Sequence, residues 1–299
     1  MARAVLITNP AAARTTQGAV EAVRDQLRTA GWQLDVVATV GPGDARRLSE
    51  EAVRQGMELV VVQGGDGTTM QAAAALVGTD VALGLIPGGT GNLLAGNLRI
   101  PKSVLRAAGV LARGHRRRID LGKMVREDGL HYFSVAAGTG MDARIMAETA
   151  SDEKRRWGIG AYMATTLRIL PEMRSVHFHI TVDGVEYDAN AAVILVANCG
   201  EVIPPFLKLG HGITPDDGLL DVVVIRGDGI VDTMRAVWHV LWDLPPERAG
   251  GSFIGYARGR IIRIESDVEQ PVEMDGDAAG RTPFTAEIVP GAIQVIVPH

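Results

Sequence analysis

Two short apolar runs, each leading straight into a cluster of glycines, constrain this chain more than anything else in it. Leu59-Val60-Val61-Val62 is followed by Gly64-Gly65-Asp66-Gly67-Thr68, and Val81 to Ile86 by Pro87-Gly88-Gly89-Thr90-Gly91-Asn92. A strand apolar along its whole length, not only at alternate positions, is covered on both faces, as strands inside parallel sheets are. Parallel neighbours need crossovers, usually helical, and the sequence supplies them. Ala4 to Ile7 reads as a first strand; Val20, Val23, Leu27 and Ala30 then recur at helical spacing, with Gly31 as the stop. Leu34 to Val37 is a second strand. Asp44 can cap a helix carrying Ala45, Leu48, Ala52 and Val53, with Gly56 beyond it. A helical stretch, Met70 to Leu76, follows the first glycine cluster, and Ser103 opens another with Val104, Leu105, Ala108 and Leu111. The order βαβαβ closes naturally as an open parallel sheet with right-handed crossovers.

The glycine clusters carry chemistry as well as geometry. Without Cβ atoms the backbone can come close to a ligand, and amides at a helix N-terminus offer donors and a favourable dipole to phosphate oxygens. A carboxylate in such a loop repels a bare phosphate, so Asp66 suggests Mg²⁺, held directly or through water. The other reading is a tight strand-to-helix turn with Asp as cap. Asn9-Pro10-Ala11-Ala12-Ala13 also follows a strand, so three loops can line one crevice at the carboxyl ends of the strands, where doubly wound folds bind ligands.

After about residue 120 the texture changes to short β-runs: Tyr132 to Ala136, Val176 to Val182, Ala191 to Val196, Leu219 to Ile225, Arg260 to Glu265, Phe284 to Val289 and Ile293 to Val297. Asp183-Gly184 between Val182 and Val185 is a hairpin signal, and Asp275-Gly276 a second turn candidate. Helical patterns at Lys154 to Leu170 and Val231 to Leu244 interrupt the strands. The expected architecture is an α/β N-terminal domain on a parallel sheet, residues 1–124, and a β-rich antiparallel C-terminal domain, residues 125–299. Whether the last strand, within 290–299, returns to the first domain stays open.

A chain of 299 residues is long enough for two such domains. Its net charge of −5 argues against a nucleic-acid partner, which would call for a basic excess. A single cysteine, Cys199, excludes an internal disulfide and fits a reducing cytoplasm. The N-terminal apolar run reaches Thr8-Asn9 too soon for a signal peptide, and stretches such as Ala191 to Ala197 fall far short of the roughly 18 residues of a spanning helix.

The Asn9-Pro10 start, Gly64 to Thr68, Pro87 to Asn92 and the later Asp217-Gly218 and Asp275-Gly276 together resemble the diacylglycerol kinase catalytic family in its bacterial soluble lipid kinase form. The likeness spans nearly the whole chain. The Gly-Gly-Asp-Gly core alone is shared with NAD kinases and, loosely, phosphofructokinases; the Pro-x-Gly-Thr-x-Asn element narrows it to the lipid kinase branch. The resemblance implies a sandwich-type C-terminal domain and an ATP- and Mg²⁺-dependent transfer of the γ-phosphate to the hydroxyl of diacylglycerol or a related lipid alcohol. It implies ATP contacts at Asn9, Pro10, Ala11, Ala12, Ala13, Thr39, Gly65, Asp66, Gly67, Thr68, Thr69, Met70, Gln71 and Thr90. Asp66 and Asp120 would hold the catalytic metal. Thr214 and Leu219, through their carbonyls, and the Asp217 carboxylate would bind a structural Mg²⁺. Asp277, standing where the family has Glu, would accept the alcohol proton.

The chain departs from the family at three places. Ala11-Ala12-Ala13 replaces a glycine-containing stretch, Met70-Gln71 stands for Asn-Glu, and Leu93 for an Asp in the magnesium network. Leu93 and the Ala11 to Ala13 stretch support a rival reading, an inactive nucleotide- or lipid-binding regulator; an NAD kinase is the other rival.

A lipid substrate also implies a cytoplasmic protein that meets the membrane peripherally. The basic clusters Arg113 to Arg118 and Lys154-Arg155-Arg156-Trp157, or Trp238 and Trp242 on the second helical pattern, could serve that contact, or be solvated helix ends and a packed helix. A homodimer is compatible with the sequence. His177 and His179 share one face of a strand at a spacing zinc sites use, but no third ligand is apparent in sequence, and a solvated face is the alternative. Cys199 is expected to pack in the core.

Overall fold

The structure, a computed structural model, describes residues 2–126, 129–140, 175–203, 207–209, 212–226 and 254–299. It divides into two compact units, residues 1–120 with 291–299, and residues 121–290.

The first unit is built from β1 (Arg3–Thr8), α1 (Gln17–Thr29), β2 (Gln33–Ala38), α2 (Asp44–Arg54), β3 (Leu59–Gly64), α3 (Asp66–Leu76), β4 (Ala82–Pro87), α4 (Leu93–Asn97), α5 (Val104–Arg113) and the start of β5 (His115–Arg126). The strands pair in parallel in the order β2-β1-β3-β4, and β4 pairs in parallel with the end of the last strand of the chain. Every residue of β3 and β4 is buried, as their unbroken apolar character requires. The path leaves β1 toward β2 and then returns past β1 to β3. Right-handed crossovers therefore put α1 and α2 on opposite faces, and the topological switch falls between β1 and β3. Helix α1 packs on α5, and α2 on α3.

Local signals explain most helix ends. Thr16 accepts the amide of Ala19 at 3.2 Å and opens α1, while Gly31 ends it at φ 87°. Asp44 does not cap α2 as expected: its carboxylate turns back to accept the amides of Val40 and Gly41 at 2.8 and 3.0 Å, and left-handed Gly43 stands at the cap.

The second unit is antiparallel wherever its strands pair. It comprises the rest of β5, then β6 (Gly129–Phe133), β7 (Ala136–Gly140), β8 (Val176–Val182), β9 (Val185–Ala191), β10 (Val193–Ala197), β11 (Glu201–Ile203), β12 (Leu207–Lys208), β13 (Leu220–Ile225), β14 (Ile254–Gly259), β15 (Ile261–Ser266), β16 (Pro271–Met274), β17 (Asp277–Arg281) and most of β18 (Phe284–Val297). One sheet runs β18-β15-β8-β9, the other β14-β13-β10-β7-β16-β17. Their inner faces share one core. Phe178, Ile180, Val182, Ile262, Ile264 and Phe284 come from the first sheet, and Ile194, Val196, Leu220, Val222 and Val272 from the second. This is the packing of a β-sandwich.

Three β-runs are corrected by the structure. Tyr132 to Ala136 is not one strand but the end of β6 and the start of β7, broken at Ser134-Val135. Phe284 to Val289 and Ile293 to Val297 are one strand that continues through Pro290 and Gly291. The basic run Arg116-Arg117-Arg118 lies in β5, where Arg118 pairs with Asp80 at 3.1 Å and donates to the Gly291 carbonyl. The Asp183-Gly184 turn is as read, with both residues left-handed at φ 48° and 85°, the signature of a two-residue type I′ hairpin. The helical patterns Lys154 to Leu170 and Val231 to Leu244, with the basic cluster and tryptophans in them, lie outside the described residues. Among the described residues no helix is long and apolar enough to cross a membrane.

Candidate active site

Three loops leave the carboxyl ends of β1, β3 and β4, and hydrogen bonds fasten each to the other two. Asn9 joins the first to the second: its Nδ2 donates to Thr68 Oγ1 at 2.9 Å and its backbone amide to the Gln63 carbonyl at 2.9 Å. Its Oδ1 accepts the Ala11 amide, which folds the Asn-Pro-Ala-Ala segment into a turn. The Arg14 amide donates to the Gly88 carbonyl at 3.0 Å, joining first loop to third.

The second and third loops meet backbone to backbone. Gly88 donates to the Gly64 carbonyl at 2.8 Å, and a Cβ on Gly89 would stand 2.7 Å from the Gly65 Cα. Those glycines are demanded by loop packing. Asp66 completes the junction. Its Oδ2 accepts the Asn92 amide at 2.7 Å and its Oδ1 the Leu93 amide at 2.6 Å, so the first residue of α3 caps the start of α4. A Cβ on Gly91 would lie 2.7 Å from Asp66 Oδ2, so that glycine clears the approach. Asn92 adopts the left-handed conformation at φ 54°, which asparagine tolerates, and bonds both the amide and the carbonyl of Gly89.

The assembled loops present an exposed rim of backbone amides. Thr69 makes the first α-helical bond of α3, to Gly65, while the amides of Gly67 and Thr68 make no hydrogen bond among the described residues. Such helix N-terminal amides are donors waiting for a ligand. Gly67 is exposed, and a Cβ placed on it would meet nothing within 4 Å. Unlike Gly88 and Gly89, it answers no packing need. Thr90 and Pro10, Ala11 and Ala13 are exposed on the same rim, with Ala12, Thr69, Met70 and Gln71 half-buried behind. Thr39 follows β2, its amide bonded to the Thr8 carbonyl, one strand from Asn9. A small hollow beside Asp66 is walled by Thr69, Pro87, Asn92 and Leu94.

Asp120 does not join this group. It is buried in β5 and accepts the Gly291 amide at 2.7 Å. Gly291 precedes the stretch of β18 that pairs with the start of β4, and the Gly78 amide bonds the Ala292 carbonyl. Asp120 therefore sits at the amino ends of the parallel strands, a strand's length of roughly 17 Å from the glycine loops. The expectation that Asp66 and Asp120 share a metal is corrected on that ground.

In the second unit, Asp277 is exposed at the start of β17, opposite Met274 across a turn made by left-handed Asp275 and Gly276. The turn is anchored in a way its sequence does not announce. Asp275 Oδ2 accepts the Ser134 amide and hydroxyl at 2.7 and 2.9 Å, and Oδ1 the amides of Val135 and Ala136 at 2.8 and 3.1 Å. Burial pushes the Asp275 carboxyl up, against the pull of those donors toward the ionised form. Gly276 donates to Glu273 Oε2 at 2.7 Å, so the hairpin that carries Asp277 is held from both ends. Cys199 is buried, its thiol against the Ser134 carbonyl.

The Thr214 to Leu219 loop is closed by protein groups. Asp217 Oδ1 accepts the Leu219 amide at 3.1 Å as an Asx turn. Arg258 on β14 forks onto both Asp221 oxygens at 2.9 and 3.1 Å, donates to the Gly212 carbonyl at 3.0 Å, and brings Nη1 to 3.7 Å from Asp217 Oδ2. One guanidinium thus already faces two carboxylates, those of Asp221 and of Asp217, the second of which is an implied Mg²⁺ ligand with Thr214 and Leu219. Arg258 is a site-shaping residue that sequence reasoning passed over, and Asp275 and Asn92 were named there as parts of motifs without the long-range bonds that make them shape the site. Asn92, following Gly-Gly-Thr-Gly, and Asp275, preceding Gly276, carried local signals; Arg258 carried none.

Residues 3–124 match the model of the diacylglycerol kinase catalytic domain, and residues 134–297 that of the YegS C-terminal NAD kinase beta sandwich-like domain. A curated protein of Mycobacterium tuberculosis named diacylglycerol kinase is 31% identical over 98% of this chain and 94% of its own. The "Probable lipid kinase YegS-like" of Chromohalobacter salexigens is 30% identical over 92% of this chain and 87% of its own. Among solved structures, "a putative diacylglycerol kinase from Bacillus anthracis" superposes with a TM-score of 0.83 at 26% identity, covering 99% of this chain and 95% of that one.

Proposed function

The chain belongs to the lipid kinase family built on the diacylglycerol kinase catalytic domain, and on that premise we propose that it transfers the γ-phosphate of ATP to the hydroxyl of a diacylglycerol-like lipid alcohol. The observation that carries this reading is the three-loop junction at Asp66, which leaves the Gly67 and Thr68 amides unengaged on an exposed rim. ATP fits that rim: its phosphates take the helix N-terminal donors, with Asn9 to Ala13, Thr39 and Thr90 around them. Bound with ATP, Mg²⁺ would neutralise phosphate charge. Both Asp66 oxygens already accept amides, and Leu93 offers an amide where the resemblance calls for a carboxylate, so Asp66 reaches such an ion through water.

Asp277 is the proposed proton acceptor for the lipid hydroxyl. It is exposed, on a hairpin whose backbone the Asp275 anchor holds in place. A lipid alcohol resides in a bilayer, so turnover takes place with the protein at a membrane surface.

The test is labelled ATP with mixed micelles of a lipid extract. Wild type should label a lipid alcohol; labelling of NAD⁺ and no lipid would sink the reading. Asp277→Asn should lower kcat by about a hundredfold, the low end for loss of a general base, with KM for ATP little changed. Asp277→Glu should restore most of it. Gly67→Ala gives a separate check on ATP placement. Alanine is the better helix former, so stability should rise by up to about 1 kcal/mol in denaturant melts. The KM for ATP should rise at the same time, because the new methyl intrudes where phosphates approach.

A further inference from the structure

We propose that His177, His179 and Asp188 form a site for one transition-metal ion of the Zn²⁺ type on the face of β8 and β9 turned away from the sandwich core of the second unit. Strand β8 buries Phe178, Ile180 and Val182, so the pleat turns His177 and His179 outward together. The antiparallel register then sets Asp188 of β9 opposite His179, and Asn190 opposite His177. This supplies the third ligand that the local sequence lacks, from beyond the Asp183-Gly184 turn.

The three side chains converge. One ring nitrogen of each histidine and one Asp188 oxygen all lie within 4.8 Å of one another. Asp188 Oδ1 is the focus, 2.6 Å from His179 Nδ1 and 3.8 Å from His177 Nε2. Tetrahedral zinc, with bonds near 2.1 Å, sets its ligands about 3.4 Å apart. The His179–Asp188 pair opens by roughly 0.8 Å and the wider pairs close by at most roughly 1.4 Å to reach that spacing, shifts that rotamer changes in exposed side chains supply. His177 Nδ1 already meets Asn190 Oδ1 at 3.1 Å, the kind of outer partner that fixes a metal-bound imidazole. His179 Nε2 meets Asp267 Oδ1 at 3.2 Å, and the Asp267 amide donates to the His177 carbonyl, so Asp267 is the outer partner of His179.

Charge points the same way. Asp188, Asp267 and, from the neighbouring strand, Glu265 surround two imidazoles, and among the described residues Arg263 is the cation that answers them, paired with Glu265 at 2.8 Å. Without metal, a proton on His179 bridges Asp188 and Asp267. Hydrogen bonds to Asp188 and then Asp267 raise the pKa of His179. A divalent ion replaces the proton with twice its charge. Two nitrogen donors select Zn²⁺ over Mg²⁺, which prefers all-oxygen sites. Strand β9 is the sheet's outermost strand, and such an ion would pin this edge to its neighbours.

The experiment is calorimetric titration of the whole chain with Zn²⁺ in excess Mg²⁺, which occupies the oxygen sites. The expected result is one equivalent bound with proton release, and a thermal midpoint raised by the metal. His177→Ala and His179→Ala should each weaken binding more than about a hundredfold, and Asp267→Asn by roughly ten- to a hundredfold. His115→Ala controls for the other histidine pair, His115 and His299, whose rings lie 5.1 Å apart, and should bind as wild type. Asp188→Asn, folded by circular dichroism, should bind as weakly as the histidine variants. No binding at submillimolar Zn²⁺, or a stoichiometric site untouched by the His177 and His179 changes, overturns the proposal.

Discussion

Asp66→Ala should cut ATP-dependent phosphorylation of a lipid alcohol by about a thousandfold while the chain remains folded. The carboxylate accepts two amides, those of Asn92 and Leu93, from the opposite glycine loop. Hydrogen bonds to a charged group contribute roughly 1.5–3 kcal/mol each, so losing both amounts to about 3–6 kcal/mol. At 1.36 kcal/mol per decade that corresponds to about 10²–10⁴ in rate if the locked arrangement is the one that turns over. The loss falls on the loops and spares the core, because β3 and β4 stay buried on both faces. Asp66→Asn separates two accounts of the same carboxylate. The amide keeps one acceptor, so a loop-locking role predicts partial activity that added Mg²⁺ does not change. A direct metal ligand predicts a defect that high Mg²⁺ relieves. Full activity in Asp66→Ala would remove the junction from the mechanism altogether.

That junction also marks how far the sequence could be read. The parallel strands were legible because burial on both faces leaves an unbroken apolar run, and the glycine clusters because they sit at strand ends. What those glycines do was only half legible. Gly67 is free for a ligand, whereas Gly88 and Gly89 are small because Gly64 and Gly65 lie against them. Helix α4 escaped notice for a related reason. It is five residues long and has no cap of its own; Asp66, some 26 residues earlier, provides it. A local reading finds local caps.

In the second unit the unreadable features are again long-range. The run Tyr132 to Ala136 has strand character throughout, yet its chain breaks at Ser134-Val135, where three consecutive amides turn to a carboxylate about 140 residues away. Arg258 does the same for Asp217 and Asp221. The pair Asp-Gly announces a turn in both Asp183-Gly184 and Asp275-Gly276. The aspartates differ in their partners. Asp183 accepts the amides of Arg260 and Ile261 at an exposed corner, Asp275 a strand break inside the sandwich. Identical local chemistry thus serves one ordinary hairpin and one anchor of the proposed catalytic carboxylate.

The anchor makes Asp275→Ala the most disruptive single change expected in this chain. Removing the carboxylate strands three backbone amides and the Ser134 hydroxyl in a site from which water is largely excluded. An orphaned buried donor costs about 1–3 kcal/mol, and losing one side of a buried charged network about 3–5 kcal/mol. A destabilisation of about 4 kcal/mol is therefore expected in denaturant melts, a large share of the roughly 5–15 kcal/mol that holds a typical protein folded. Asp275→Asn should recover only part of it, because its Nδ2 brings a donor against donors. Ser134→Ala removes one partner of four, leaves no amide stranded, and should cost about 1 kcal/mol. A second readout comes from the neighbour two residues on. Where enough folded Asp275→Asn can be prepared, its kcat should fall with little change in KM for ATP, since the hairpin that presents Asp277 is no longer pinned to Ser134-Val135-Ala136. An Asp275→Ala protein as stable as wild type would mean that these four hydrogen bonds do not hold the β7 and β16-β17 junction together.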